Sequence, residues 1–590
     1  MMNPDKTKTA WNKPWRRMHV WFGLLACAVF FVVFCLGLLS GLNRSAGNWA
    51  TVSAVVSAGL VLVVMLGFVF FRWLRHGRNF RQFLFGLVCF VTLIALFYAE
   101  ENVRGKWAWN KFKREWEAKG EHFELKHFIP SPVPVEQNFA MTPLLRPIFD
   151  YVHTTNGIQW RDTNGMARLE RIDLESGRNA NNSNNTKSLV GNLEKNTLTD
   201  LDAWRDFYRG NTNYPQPTVS GKAAEDILVA LGKFDPELNE LREAAATRPY
   251  SRFPIQYEEE PTFTILLPHL AKLKAMSQVL SLHALARLEL SQPDLALLDL
   301  KTAFRISDSI REEPLLIDHL VRLAILNITL QGGLREGLAR RAWNDAQLAE
   351  LEKYLVSLDL LAEYKHALRG ERSCNLEGLD YYRRQGFKMN PMTGLGDTSA
   401  QSGQHFNFFL SGWYYQNMIV SSRLHQDVLA AVDEQSHRVL PKIAEGLEKA
   451  INAKRTTPYN IFANMLMPAL SKAAAKTART QTFVEAACIA CALERYRLAY
   501  GQFPEKLADL SPQFLEKIPH DVMDGQPLHY RKNGDDNYLL YSIGWNEKDD
   551  GGSVVLTKGN TPGADWKQGD WVWQLPNPEG GRQKPEAENN

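Results

Sequence analysis

A chain of 590 residues with 45% hydrophobic and 23% charged residues has the composition of a folded protein with a large core, and its length allows about three or four domains of ordinary size. The net charge is only +3 and basic residues alternate with acidic ones, which argues against a nucleic-acid-binding surface. Six cysteines, three of them (Cys27, Cys35 and Cys89) inside apolar runs, do not make a disulfide framework.

Residues 1–17 form a basic tail carrying Lys6, Lys8, Lys13, Arg16 and Arg17. Val20 to Leu42 and Trp49 to Phe71 contain no charged residue, and each is long enough to cross the hydrocarbon core as a helix. Phe83 to Ala99 is also uncharged and, at 17 residues, lies at the lower limit for a span. The first run is too long, and too closely followed by a second, for a cleaved signal peptide. Three transmembrane helices are therefore expected within residues 18–99. Only Arg44 lies in the first loop, whereas the second holds Arg72, Arg75, Arg78 and Arg81. The positive-inside rule then places the tail and second loop in the cytoplasm and everything after Ala99 outside it. The alternative is that the third run is an interfacial or buried helix, which leaves the rest of the chain cytoplasmic.

Residues 100–216 open with "GKWAWNKFKREWEAKG" (Gly105 to Gly120), aromatic and charged residues at helical spacing. Trp107, Trp109 and Trp116 either anchor at the membrane interface or pack on the following domain. Pro130, Pro132, Pro134, Pro143 and Pro147 then predict an extended strap, and Arg178 to Thr186 predicts an Asn-rich surface loop. Residues 217–480 read as helix after helix, with Leu270, Leu273, Met276, Leu280, Leu285 and Leu288 near a 3.6-residue period. Helix pairs with a Pro293-marked joint resemble tetratricopeptide hairpins, but no 34-residue repeat is present, so the expectation is an irregular helical array. The aromatic stretch Phe406, Phe408, Phe409, Trp413, Tyr414 and Tyr415 fits either a hinge between helical layers or a binding groove.

Enzyme signatures are missing: there is no HExxH, GxSxG, Walker loop or GxGxxG. His269, His283, His319 and His366 form no i, i+4 pair for a metal. Glu258, Glu259 and Glu260 read as a solvated run. Arg369, Glu371, Arg372 and Cys374 stand together and read first as an internal ion pair, with a catalytic dyad as the alternative. Cys488 and Cys491 lie inside a helical run without a second ligand pair, so they read as small buried side chains, with a redox pair as the alternative.

Residues 481–576 have a distinct pattern. A helix ends "ERYRLAYGQFP" with Tyr496, Arg497, Gly501, Phe503 and Pro504; Pro519, Asp521, Gly525, Pro527 and Tyr530 follow, then Ser542, Gly544, Gly551 and Gly552 in "YSIGWNEKDDGG". This segment resembles the globular domain of the major pseudopilin of bacterial type II secretion. The resemblance implies a helix packed on a small antiparallel sheet and a calcium-binding loop, with Asn546, Asp549 and Asp550 as the oxygen donors. The residues agree on the sheet: "LHYR" and "NYLLYSIG" flank "KNGDDN" as in a hairpin, and "GDWVWQL" supplies a further strand through Trp571 and Trp573. Val522 stands where the family commonly has Pro, Asn546-Glu547 replaces its Asp-Gly, and adjacent glycines complete the turn without a metal. Cofactors are thus none, or calcium. Residues 577–590 form a polar tail expected to be disordered.

The expected fold is mainly α: three membrane helices, an irregular helical array and a small C-terminal α+β domain. The expected role is non-catalytic, a bacterial inner-membrane protein presenting the array and the pseudopilin-like module outside the cytoplasm, with membrane lipid and envelope proteins as partners in secretion or envelope assembly. The competing reading is an envelope hydrolase whose site assembles dispersed residues such as His366 and Glu371. A transporter subunit is disfavoured because the apolar runs carry no charge that would mark a substrate path. A reporter active only outside the cytoplasm is expected to work when fused after Asn590; activity of a cytoplasmic reporter at that position overturns the location outside the cytoplasm and the envelope role with it.

Overall fold

Residues 77–154, 157–174, 189–209, 211–219, 221–386, 409–453, 455–466, 470–534, 536–557 and 564–576 are described by the computed structural model, with isolated positions between 59 and 73. Two units separate, Met1–Glu100 and Glu101–Asn590. In the first, helix α1 (Gly77–Glu117) begins. Among the described residues it is the one helix long and apolar enough to cross a membrane, and none of its apolar window is buried. Phe85, Val91 and Leu93 are exposed, the pattern lipid would cover. Val20 to Leu42 lies outside the described residues, and Trp49 to Phe71 is described only at isolated positions, so one of the three expected spans is seen. The Asn-rich loop and the polar tail also lie outside them.

No break separates the third apolar run from the juxtamembrane helix. α1 has 41 residues, about 60 Å at 1.5 Å per residue, roughly twice the hydrocarbon thickness. Its last turns carry i, i+4 pairs, Lys111–Glu115 and Lys113–Glu117. Gly105 belongs there for a steric reason: a Cβ would lie 2.6 Å from the Gly412 backbone of α11 (Ser411–Leu429), so two glycines let these helices cross closely. Of the three tryptophans, Trp109 and Trp116 pack around Phe112 and Phe123, whereas Trp107 is exposed with Lys111 over its ring.

In the second unit the Pro-rich segment, expected to be extended, forms short 3-10 turns at Val135–Gln137, Phe139–Met141 and Arg146–Phe149 and is fastened to residues 250–252. The Phe139 N–H donates to the Tyr250 carbonyl at 2.8 Å, and the Asn138 amide both donates to the Arg252 carbonyl and accepts from its N–H. A hairpin, β1 (Tyr151–Thr154) and β2 (Gly157–Trp160), precedes α2 (Thr163–Arg171), α3 (Leu201–Arg209), α4 (Ala223–Leu231) and α5 (Asp235–Thr247). Helices α6 (His269–Glu289) and α7 (Pro293–Asp308) form a tight pair whose joint turns at Ser291, with φ of 57°, and restarts on Pro293 at the first helical position. Then come α8 (Leu316–Ile328), a π-helical turn (Thr329–Arg335), α9 (Asp345–Val356) and α10 (Leu360–Gln385).

Helix α14 (Leu470–Tyr500) follows α11, the two-residue strands β3 (Val432–Asp433) and β4 (Arg438–Val439), α12 (Pro441–Ala453) and α13 (Ile461–Leu466). It touches α8, α9, α10, α12 and the sheet, so it is surrounded. Its composition permits that: Ala474, Ala478, Ala487, Ala490 and Ala492, with Cys488 and Cys491, are all buried, and small side chains let backbones approach from every side. Gly501, with φ of 80°, ends the helix, and its N–H donates to the Arg497 carbonyl at 2.8 Å.

The C-terminal sheet agrees with the expectation in kind. β5 (His529–Asn533), β6 (Asn537–Ser542) and β9 (Trp571–Gln574) are antiparallel in the order β5-β6-β9, with Tyr530 opposite Leu540 and Leu540 opposite Trp573. β7 (Val554–Leu556) and β8 (Ala564–Gly569) form a second, irregular pair. Tyr538, Leu540 and Trp573 join the large core around α14, while Leu539, Tyr541 and Val572 form a small apolar cluster apart from it. The boundary expected at 480/481 falls inside α14, because this one helix serves both the array and the sheet and their buried side chains form one continuous core. Ala490→Leu in α14 is expected to lower unfolding free energy by about 1–3 kcal/mol in urea titrations, through overpacking, while Val555→Leu on exposed β7 changes it by less than about 0.5 kcal/mol.

Candidate functional site

The groups singled out from sequence occupy different parts of the second unit. Asn546, Asp549 and Asp550 share the turn after β6, where protein donors engage them. The Asn546 side chain donates to Asp550 Oδ2 at 2.8 Å, and its Oδ1 accepts the Lys548 N–H at 3.2 Å. Asp549 Oδ1 accepts from Gly551 N–H at 2.9 Å and the Tyr541 hydroxyl at 3.1 Å, which holds this carboxyl below its usual range. The turn closes instead on Asp570, which sequence reasoning missed: its buried carboxylate accepts the N–H groups of Asp550, Gly552 and Ser553. These bonds leave further lone pairs on both carboxylates, and calcium takes six to eight oxygens, more than this triad alone supplies. Among the described residues no group of three or more His, Cys, Asp or Glu side chains is placed to hold a metal.

His366, Glu371 and Cys374 on α10 do not converge on a cleft. Glu371 Oε2 accepts the Leu316 N–H at 3.2 Å, satisfying the first donor of α8. His366 Nε2 lies 3.3 Å from the Glu312 carbonyl, with the ring edge-on to Phe128. The Cys374 thiol faces the Thr262 carbonyl, and burial pushes its pKa up to about 12, away from the thiolate a nucleophile needs. Arg369 and Arg372 bond Glu121, in the loop after α1, rather than forming the expected internal pair with Glu371. Cys488 and Cys491 are buried in α14, where desolvation raises both thiol pKa values.

An open groove of about 580 Å³ lies between α5, α7 and α9. Its apolar lining includes Leu298, Phe304, Leu351 and Tyr354; the Phe304 and Tyr354 rings are 4.4 Å apart, and the Tyr354 hydroxyl donates to Asp308 Oδ1 at 3.0 Å. Arg242, Lys301, Arg305 and Lys353 bring positive charge, Asp308 and Glu350 negative. The pairing is uneven. Arg242 binds the buried Asp299 at 2.6 Å, Lys301 pairs with Glu350, and Asp308 is taken by Arg322 at 2.8 Å. Arg305 has no carboxylate at ion-pairing distance among the described residues. Its Nη2 donates to the Arg248 and Tyr250 carbonyls, its guanidinium lies over Phe139, and its buried Nε has no acceptor. Desolvation lowers its pKa, outweighing the opposite pull of the nearby Asp308 carboxylate. Lys353, exposed on α9, likewise makes no ion pair among the described residues. The groove therefore offers an apolar floor beside two cations, Arg305 and Lys353, that make no direct ion pair among the described residues. The only sequence signal was Lys301 and Arg305 at i, i+4 on α7, a like-charge pair that costs a helix stability unless an anion sits near.

No family model matches the chain, and neither does any curated protein or solved structure.

Asp521, one of the residues of the pseudopilin resemblance, is a buried cross-link: its carboxylate accepts Met523 N–H at 3.0 Å and Ile543 N–H at 3.2 Å. Desolvation outweighs these bonds and raises its pKa from 3.8 to about 6. The folded state thus holds the proton more tightly than the unfolded one, so this contribution is complete below about pH 4 and is lost as pH rises through 6. The span corresponds to about 3 kcal/mol. Asp521→Asn, measured by urea unfolding at several pH values, is expected to be less pH-sensitive than the native chain between pH 4 and 6, losing less stability over that interval.

Proposed function

We propose that the protein is a non-catalytic, membrane-anchored scaffold that holds an acidic segment of a partner protein in the groove between α5, α7 and α9. The observation that carries this reading is Arg305, a guanidinium partly withdrawn from water and in no direct ion pair with a described carboxylate, beside the open apolar floor formed by Phe304, Leu351 and Tyr354. Withdrawing a cation from water is unfavourable unless a counter-charge returns, and a carboxylate of the partner returns it with a charge-assisted hydrogen bond. An apolar side chain next to that carboxylate covers the ring pair. The apolar, unburied helix α1 supports membrane anchoring.

The wider setting follows the reading of the sequence: a bacterial inner membrane, the N-terminal tail in the cytoplasm, the helical array and the pseudopilin-like module outside it, and a role in secretion or envelope assembly. The engaged state of Glu371 and His366 gives the hydrolase reading no comparable support.

The test uses the detergent-solubilised full chain and a fluorescent peptide alternating Glu with Leu and Phe, followed by anisotropy. The peptide is expected to bind, to weaken with added salt, and to lose about tenfold in affinity with Lys353→Glu or Arg305→Gln. A peptide with Lys in place of Glu is expected not to bind. Equal binding of both peptides, or no effect of either substitution, overturns the proposal.

A further inference from the structure

A second cavity, of about 190 Å³, lies where α6 passes the π-helical turn and the start of α3. The π turn has a steric basis. A Cβ on Gly332 would stand 2.2 Å from Ser281 Oγ of α6, and one on Gly333 would stand 2.0 Å from Leu300 of α7, so the glycine pair lets the widened turn press against both helices. Such insertions occur mostly as single turns and frequently at functional sites.

The lining is polar without being charged. Trp204 is buried to 1% exposure and its indole N–H has no acceptor. The carboxamides of Gln278 and Gln331 make no hydrogen bond with the described residues, while the Asn327 amide nitrogen is spent on the Leu323 carbonyl and Thr480. Leu282 and Leu285 supply an apolar side. The carboxylate behind this wall, Glu336, does not line it: it accepts Thr199 Oγ at 2.6 Å, the Thr199 N–H, and Arg340 at 2.9 Å.

These features select a ligand. Among the described residues no charged side chain lines the cavity to compensate an ion, so against this lining an anion or cation would enter at the full cost of desolvation. A purely apolar molecule would leave the indole N–H and two carboxamides unpaired. A drug-sized compound exceeds the volume, which corresponds to about six water molecules at liquid density. A small uncharged polyol meets all three conditions: its hydroxyls accept from Trp204 and both donate to and accept from Gln278 and Gln331, and its C–H face lies on the leucines. We infer that the cavity between α6, α3 and the π turn is a binding site for a neutral polyol of monosaccharide size. This goes beyond the groove, with which it shares no lining residue.

Saturation-transfer NMR on the full chain, in a detergent without sugar headgroups, tests the assignment with glucose, myo-inositol and glycerol as probes and glucuronate as the charged control. Transfer to at least one neutral probe is expected, with none to glucuronate. Trp204→Phe keeps an aromatic ring and removes the N–H together with the five-membered ring; Gln278→Leu with Gln331→Leu removes both carboxamides at partly exposed positions the fold tolerates. Each is expected to weaken the response by about fivefold, the effect of losing a hydrogen bond; the glutamine pair leaves the melting temperature unchanged, whereas Trp204→Phe, which shrinks a buried side chain, also lowers it. Arg305→Gln, which disables the groove, is expected to leave it intact, so failure of the groove reading and failure of this one are separate results. No transfer to any neutral probe, equal transfer to glucuronate, or an undiminished response in the folded variants overturns the inference.

Discussion

A helix enclosed on every side constrains everything around it, and α14 is that helix. Ala474, Ala478, Ala487 and Ala490 leave no room for movement against α8, α9, α10 and the sheet, because a well-packed interior accommodates an added methylene only by displacing a neighbour. The thiols of Cys488 and Cys491 are part of the same economy of size. Since one face of the helix supports the array and another the sheet, the two cannot be separated at residue 480 without exposing a core to each.

Polar bolts complete that assembly. Arg335, fully buried on the π turn, donates to the Gln574 carbonyl at the end of β9 and to Thr197 and Asn196 in the loop before α3. Arg322 holds Glu363 through two nitrogens, at 2.7 and 3.1 Å, and Asp308 at 2.8 Å, tying α7, α8 and α10 together. Arg242 and Arg287 share the buried Asp299 with His283. Buried pairs of this kind add modest net stability, but removing one member strands the other, so they define which arrangement of helices is allowed. Against that background Arg305 stands out: it has carbonyl oxygens and an aromatic face, and no carboxylate.

The elements readable in advance were those with strong local periodicity or decisive turn residues. The α6–α7 pair followed from its leucine spacing and Pro293, the end of α14 from Gly501, and the β5–β6–β9 sheet from "NYLLYS" and "WVW". Less was legible in the sites. Glu371, read first as part of an internal ion pair, accepts the first N–H of α8, and Asp549 and Asp550, named as calcium donors, accept from Gly551, Tyr541 and Asn546 in and beside their own turn. A carboxylate's role depends on which donors arrive beside it, and for Glu371 that donor comes from another helix.

Sequence by itself determined the helical class, the apolar run that becomes α1, and the small sheet after Gly501, because those depend on periodicity and positive φ, which are local. Tertiary structure alone decided the continuity of α14 between array and sheet, the π turn and its cavity, and the groove. A cavity is the space left between elements far apart in sequence. Whether Arg305 finds a carboxylate depends on how α5, α7 and α9 come together, and no segment of sequence encodes that separately.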